Sequence, residues 1–146
     1  MSDTSQNTQS AAPVEPKTEK IETQVGGAKK VLIAEDEKAI ANALKLKLQK
    51  SGFEAVVAED GSKAVSELKT GEYDLLLLDI LMPVADGWQV LSQIKEAGIS
   101  LPIIVTSNLS QEEDVTKAKS LGAKDFLVKS NSTMDEIVEK VQENLG

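Results

Sequence analysis

The sequence predicts an α/β domain, a doubly wound parallel sheet with helices on both faces, and three observations carry that prediction. Short, wholly apolar runs recur along the chain, as in strands buried on both faces, and Leu75-Leu76-Leu77-Leu78 is the plainest. Between these runs lie stretches of helical length, four of which close on a glycine. Five β-α units in succession imply a parallel sheet covered on both sides. The third observation is chemical. Four apolar runs end in polar groups, namely Glu35-Asp36, Asp79, Thr106-Ser107 and Lys129, at the edge where parallel α/β sheets bind ligands.

The elements follow in order. Residues 1–28 are rich in Ser, Thr, Gln, Pro and Glu, a composition that cannot bury enough surface to offset the entropy of ordering. A disordered tail is therefore expected, hinged at Gly26-Gly27 on a domain spanning 29–146. The first strand is expected near 31–35 and its helix near 38–51, ended by Gly52. The second strand falls near 54–58; the turn Asp60-Gly61 then leads to a helix near 62–70 that stops at Gly71. The third strand, near 74–79, ends at Asp79, where Met82-Pro83 and Asp86-Gly87 turn the chain into a helix near 86–97. A fourth strand near 102–106 precedes Ser110, an N-cap candidate for a helix near 111–121 with Glu112 and Glu113 in its first turn. A fifth strand near 125–128 and a helix near 134–144 complete the pattern.

Composition removes several classes of function. The chain has no cysteine and no histidine, which excludes disulfides, thiolate or imidazole metal sites and a phosphohistidine role. Net charge is −8 and every basic residue is lysine. The imbalance lies in residues 31–146, since the first 30 carry four acids and four lysines. An acidic, arginine-free domain is a poor binder of nucleic acid. No apolar run approaches the ~20 residues of a membrane span, and the start lacks the pattern of a signal peptide. No membrane association and a cytoplasmic location are the expectations.

The strand-end residues suggest a specific chemistry. Glu35, Asp36 and Asp79 would place three carboxylates within a few ångströms, where like charges repel by about 4 kcal/mol at an effective dielectric near 20. Such a group takes up protons or binds a hard cation, and oxygen-only ligands on an open edge suit Mg²⁺. With the cation present, Asp79 is placed to act as a nucleophile on a phosphoryl group. Lys129 offers a cation and Thr106 a hydroxyl for the charge on the transferred oxygens.

Residues 31–146, about four-fifths of the chain, resemble the receiver domain of two-component response regulators. The matching pieces are Val31-Leu32-Ile33-Ala34-Glu35-Asp36-Glu37, Asp79-Ile80-Leu81-Met82-Pro83-Val84-Ala85-Asp86-Gly87, Leu101-Pro102-Ile103-Ile104-Val105-Thr106-Ser107 and Gly122-Ala123-Lys124-Asp125-Phe126-Leu127-Val128-Lys129. The resemblance implies a flavodoxin-like (βα)5 fold with strand order 2-1-3-4-5. It implies Asp79 as phosphoacceptor and Mg²⁺ held by Asp36, Asp79 and the Leu81 carbonyl, with Glu35 assisting through water. Thr106 and Phe126 would be the switch pair, signalling through the fourth helix, fifth strand and fifth helix. The implied partners are a sensor histidine kinase or histidine phosphotransfer protein, a downstream protein target, and a second copy in a phosphorylation-linked homodimer. Ile40 and Ala43 on the first helix are a candidate kinase-docking patch, equally consistent with ordinary packing.

Three departures from the family pattern stand out. Glu35 replaces the commoner Asp. Leu81 and Asn108 occupy the variable positions that tune phosphoryl lifetime; leucine cannot orient an attacking water, so slow self-dephosphorylation is expected. Lys129 is followed by Ser130 instead of proline, and a trans bond is expected there, because a cis bond to a non-proline residue costs about 2.5–4 kcal/mol. The leading expectation is a stand-alone phosphorylation switch and not a turnover enzyme. A receiver-like interaction module that works without phosphorylation is the alternative. A phosphohydrolase of the haloacid-dehalogenase kind is a third reading, opposed by Leu81 where those enzymes carry a second Asp.

Overall fold

The apolar runs fold as β1 (Lys30–Ala34), β2 (Glu54–Ala58), β3 (Leu75–Asp79), β4 (Ile103–Ser107) and β5 (Asp125–Val128). Between and after them come α1 (Lys38–Lys50), α2 (Gly61–Leu68), α3 (Gly87–Glu96), α4 (Glu112–Ser120) and α5 (Met134–Leu145). A 3-10 turn over Lys129–Asn131, not anticipated from the pattern, links β5 to α5. The computed structural model describes residues 28–82, 84–109 and 111–145. The expected tail up to Gly27, with its hinge, lies outside the described residues, as do Pro83 and the Ser110 cap. All strands pair in parallel in the order β2-β1-β3-β4-β5, as expected.

Side chains alternate across a strand, and the alternation divides the core in two. Leu32, Ala34, Leu76, Leu78, Ile103 and Val105 pack with residues of α2, α3 and α4. Val31, Ile33, Leu75, Leu77 and Ile104 pack with α1 and α5. Every residue of β3 is buried, which explains its unbroken leucine run. Each such leucine contributes about 1.5–3 kcal/mol by burial. The edge strand β5 is only half-buried along its length.

Helix ends follow local chemistry except at the starts of α1 and α4, where Glu37 and Gln111 make no side-chain cap. Asp86 and Gln89 form a reciprocal capping box at the start of α3, and Asp60 accepts the Lys63 N–H at the start of α2. The N-cap position of α4 is Gln111, without a side-chain cap. Glu112, Glu113 and Asp114 favour that end through the helix dipole instead. Gly52, Gly71, Gly98 and Gly122 all adopt positive φ after their helices.

Gly87 has a different reason to be glycine. A Cβ there would lie 2.6 Å from Ile80 Cα and 2.8 Å from the Asp79 carbonyl oxygen. The absence of a side chain lets α3 begin directly against the end of β3, and the Gly87 N–H donates to the Ile80 carbonyl at 2.8 Å. The β3–α3 connection is thereby held close to Asp79.

Candidate functional site

Sheet register brings the strand ends together. Asp79 pairs with Thr106, and Ser107 with Val128. Ala34 pairs with Leu78, so Glu35 follows beside Asp79. Glu35 is 2% exposed and Asp79 and Thr106 are each 4% exposed, while Asp36 lies on the surface. One carboxylate oxygen from each of Glu35, Asp36 and Asp79 falls within 4.8 Å of the others. The three acids singled out in the sequence therefore form one cluster at the carboxyl edge of the sheet.

Lys129 closes the cluster from the far side. Its ammonium lies 2.6 Å from Glu35 Oε1 and 3.2 Å from Asp79 Oδ2. The Lys129 ammonium is thus the partner of the buried Glu35 Oε1. Glu35 Oε2 accepts the Glu37 N–H, and Asp79 Oδ1 accepts the Leu81 N–H at 3.2 Å. The sequence offered Lys129 as a cation for a phosphoryl group; the structure shows that it pairs with two buried carboxylates.

Burial pushes the Asp79 carboxyl above the usual carboxylate range. Lys129 and the Leu81 N–H oppose that rise, and Asp36 adds to it. Burial also raises Glu35, with Lys129 opposing and Asp79 adding repulsion. Burial pulls Lys129 down, but the Glu35 and Asp79 carboxylates more than offset it, and its pKa is raised. One lysine thus serves two acids that burial already disfavours as anions. The donor set is three carboxylates served by a single lysine, and one member is open to solvent. That combination fits a hard divalent cation.

The remaining expected residues surround this centre. Phe126 is half-buried and packs against the core on the α2–α4 side. Leu81, whose N–H donates to Asp79, is 57% exposed, and Val84 in the same connection is 78% exposed. No peptide bond among the described residues is cis, so Lys129–Ser130 is trans, as expected. Three features were not anticipated. Ser107 is fully buried and its hydroxyl accepts the Leu109 N–H. Asn108 Oδ1 accepts the Ser130 N–H at 2.9 Å. Val84 adopts φ +69°. The serine directly after the expected switch threonine was a visible signal for the first; nothing in the local pattern marked the other two.

Residues 31–142 match the family model of the response regulator receiver domain. The transcriptional regulatory protein DltR of Streptococcus agalactiae is 37% identical over 113 residues, covering 77% of this chain and 50% of that protein. The alkaline phosphatase synthesis transcriptional regulatory protein PhoP of Bacillus subtilis is 33% identical over 101 residues, covering 69% of this chain and 42% of that protein. The chain spans about half the length of the curated relatives it matches. Among solved structures, the receiver domain of the Francisella response regulator 1452 superposes with a TM-score of 0.75 at 33% identity, covering 79% of this chain and 94% of that one. The CheX–CheY–BeF3–Mg²⁺ complex of Borrelia burgdorferi gives a TM-score of 0.76 at 30% identity, covering 83% of this chain and 92% of that one.

Proposed function

This chain belongs to the response regulator receiver domain family, and from that premise we propose that it is a phosphorylation switch whose acceptor is Asp79. The observation that carries the proposal is the placement of a nearly buried carboxylate, Asp79, within 4.8 Å of acidic oxygens on Glu35 and Asp36 and 3.2 Å from Lys129. Receiver domains generally bind Mg²⁺ at an acidic pocket, and the donor set here fits it. Asp36, Asp79 and the Leu81 carbonyl would hold the ion, with Glu35 acting through water. Bound Mg²⁺ supplies charge neutralisation for the carboxylates and for the oxygens of the incoming phosphoryl group.

The protein's own groups do the rest. Asp79, ionised, presents a carboxylate oxygen to phosphorus; the new P–O bond forms as the bond to the donor breaks, leaving an acyl phosphate on Asp79. Lys129 moves from two carboxylates to the phosphoryl oxygens, where its charge offsets the charge gathered there. The Thr106 hydroxyl, brought beside Asp79 by the register, donates to a phosphoryl oxygen. Movement of the β4 end toward the phosphate leaves room for Phe126 to turn inward. The half-buried β5 and the sparsely buried α4, in which only Ala118 is buried, then change the face they form with α5.

The proposed unit runs from 29 to 146, with residues 1–28 as a separate leading segment. Upstream we place a histidine kinase or histidine phosphotransfer protein, and downstream a protein target, with self-association through α4 and α5 on phosphorylation. A cytoplasmic setting suits that role. Transcriptional regulation is named for the relatives, whose greater length holds more than the matched receiver. The domain is proposed to change state on phosphorylation and not to turn over a substrate.

Intact-mass measurement after incubation with Mg²⁺ and acetyl phosphate tests the reading. A phosphoryl adduct on wild type, absent without Mg²⁺ and absent in Asp79→Asn, is the expected result. No adduct on wild type, even at short times, would overturn it in favour of an interaction module that works without phosphorylation.

A further inference from the structure

The peptide between Lys129 and Ser130 is held at both of its polar atoms. Its carbonyl accepts the Ser132 N–H at 3.3 Å, closing the 3-10 turn. Its N–H donates to Asn108 Oδ1 at 2.9 Å, across 22 residues of sequence. Proline at position 130 would have no N–H to give. Serine keeps that donor, and the loop after β4 supplies the acceptor.

The acceptor is itself placed by local structure. Ser107 pairs with Val128 at the last rung between β4 and β5, so residues 108 and 129 leave the sheet side by side. The buried Ser107 hydroxyl accepts the Leu109 N–H, tightening the chain around Asn108 as short side-chain turns do. Asn108 then faces the β5–α5 connection. On the other side of the peptide it holds, the Lys129 side chain reaches back to Glu35 and Asp79.

We propose that Asn108 is a positioning residue: by accepting the Ser130 N–H it fixes the peptide from which Lys129 reaches Asp79. The inference rests on the reading of Asp79 as phosphoacceptor and of Lys129 as the cation serving it. A long, flexible ammonium side chain loses entropy when held in one geometry, and transfer is faster when its charge is already in place. The bond also ties the loop that follows β4 to the segment carrying Lys129.

The test is a double-mutant cycle with Asn108→Ala and Lys129→Ala, read as the rate of phosphoryl incorporation from acetyl phosphate with Mg²⁺. One exposed hydrogen bond corresponds to about a three- to tenfold slowing for Asn108→Ala alone. In the Lys129→Ala background Asn108→Ala should add no further loss, because its effect acts through Lys129. A wild-type rate in Asn108→Ala, or a loss that multiplies fully with that of Lys129→Ala, would overturn the proposal. A second reading needs no phosphoryl transfer: the side-chain ammonium resonance of Lys129 and the hydrogen exchange of the Ser130 amide, measured by NMR. Both should exchange faster with solvent in Asn108→Ala, and unchanged exchange overturns the positioning role. If wild type accepted no phosphoryl group, the function of Asp79 would fall, and the NMR measurement would still decide for or against Asn108.

Discussion

At the scale of single residues, the site is a contest between burial and charge. Asp79 and Glu35 are almost without solvent exposure, and one partly buried lysine serves both. Removing Lys129 would leave two carboxylates to protonate or repel, the situation in which buried ion pairs are costly to break. These residues were legible because each ends an apolar run, and a polar group there has few structural duties. Leu81 adds a kinetic consequence. Its exposed aliphatic side chain stands two residues beyond the proposed acceptor, Asp79, and can neither donate to nor accept from a water approaching an acyl phosphate formed there. Leu81→Asn introduces groups that can orient that water, and positioned polar groups change hydrolysis rates by an order of magnitude or more. We expect the aspartyl phosphate of Leu81→Asn to decay roughly tenfold faster than wild type. The check is the loss of the phosphoryl mass adduct with time after the donor is removed; equal decay would remove Leu81 as the cause of a long lifetime.

At the scale of elements, the strands and helices were legible wherever the signal was local. The leucine run of β3, the glycines closing α1 to α4 and the Asp86–Gln89 capping box each need only a few neighbouring residues. Where partners are distant the sequence was opaque. The 3-10 turn at Lys129–Asn131 is bound to Asn108 from another loop. Convergence of Glu35, Asp36, Asp79 and Lys129 on one edge was legible from strand order; the pairing of Lys129 with both buried acids was not, because it depends on side-chain reach across β4. Val84 is the sharpest case. A β-branched residue at φ +69° is strained by about 1–2 kcal/mol, and its side chain is 78% exposed, so packing does not offset that strain. Asparagine tolerates the left-handed region without the entropy penalty of glycine. Val84→Asn should therefore stabilise the domain by about 1 kcal/mol, seen as a higher urea midpoint with unchanged m. No gain would mean that the β3–α3 loop relaxes around valine at little cost.

At the scale of the whole molecule, the site makes folding stability depend on pH and on metal in opposite ways. The raised pKa values of Asp79 and Glu35 mean that the folded state holds those protons more tightly than the unfolded chain. In the window from the ordinary carboxylate range, near pH ~4, up to their folded values, the native state binds more protons. Stability contributed by these two groups therefore falls as pH rises through that window. Lys129 acts at the other end: its raised pKa contributes stability that is complete below the ordinary lysine value and is lost as pH rises through the folded one. Thermal unfolding in EDTA between pH 4 and 8 should show a decline toward neutral pH that is shallower in Asp79→Asn, which removes one of the two displaced acids. At pH 7.5 without metal, Asp79→Asn should be more stable than wild type by on the order of 1 kcal/mol, a rise of a few degrees in Tm. Saturating Mg²⁺ should reverse that order if the folded carboxylate cluster holds the ion as proposed, since binding then adds about 2.7 kcal/mol at a hundredfold excess over its Kd. A wild type more stable than Asp79→Asn in EDTA would show that Lys129 already compensates both acids, and that the fold gives up no stability to keep them at this edge.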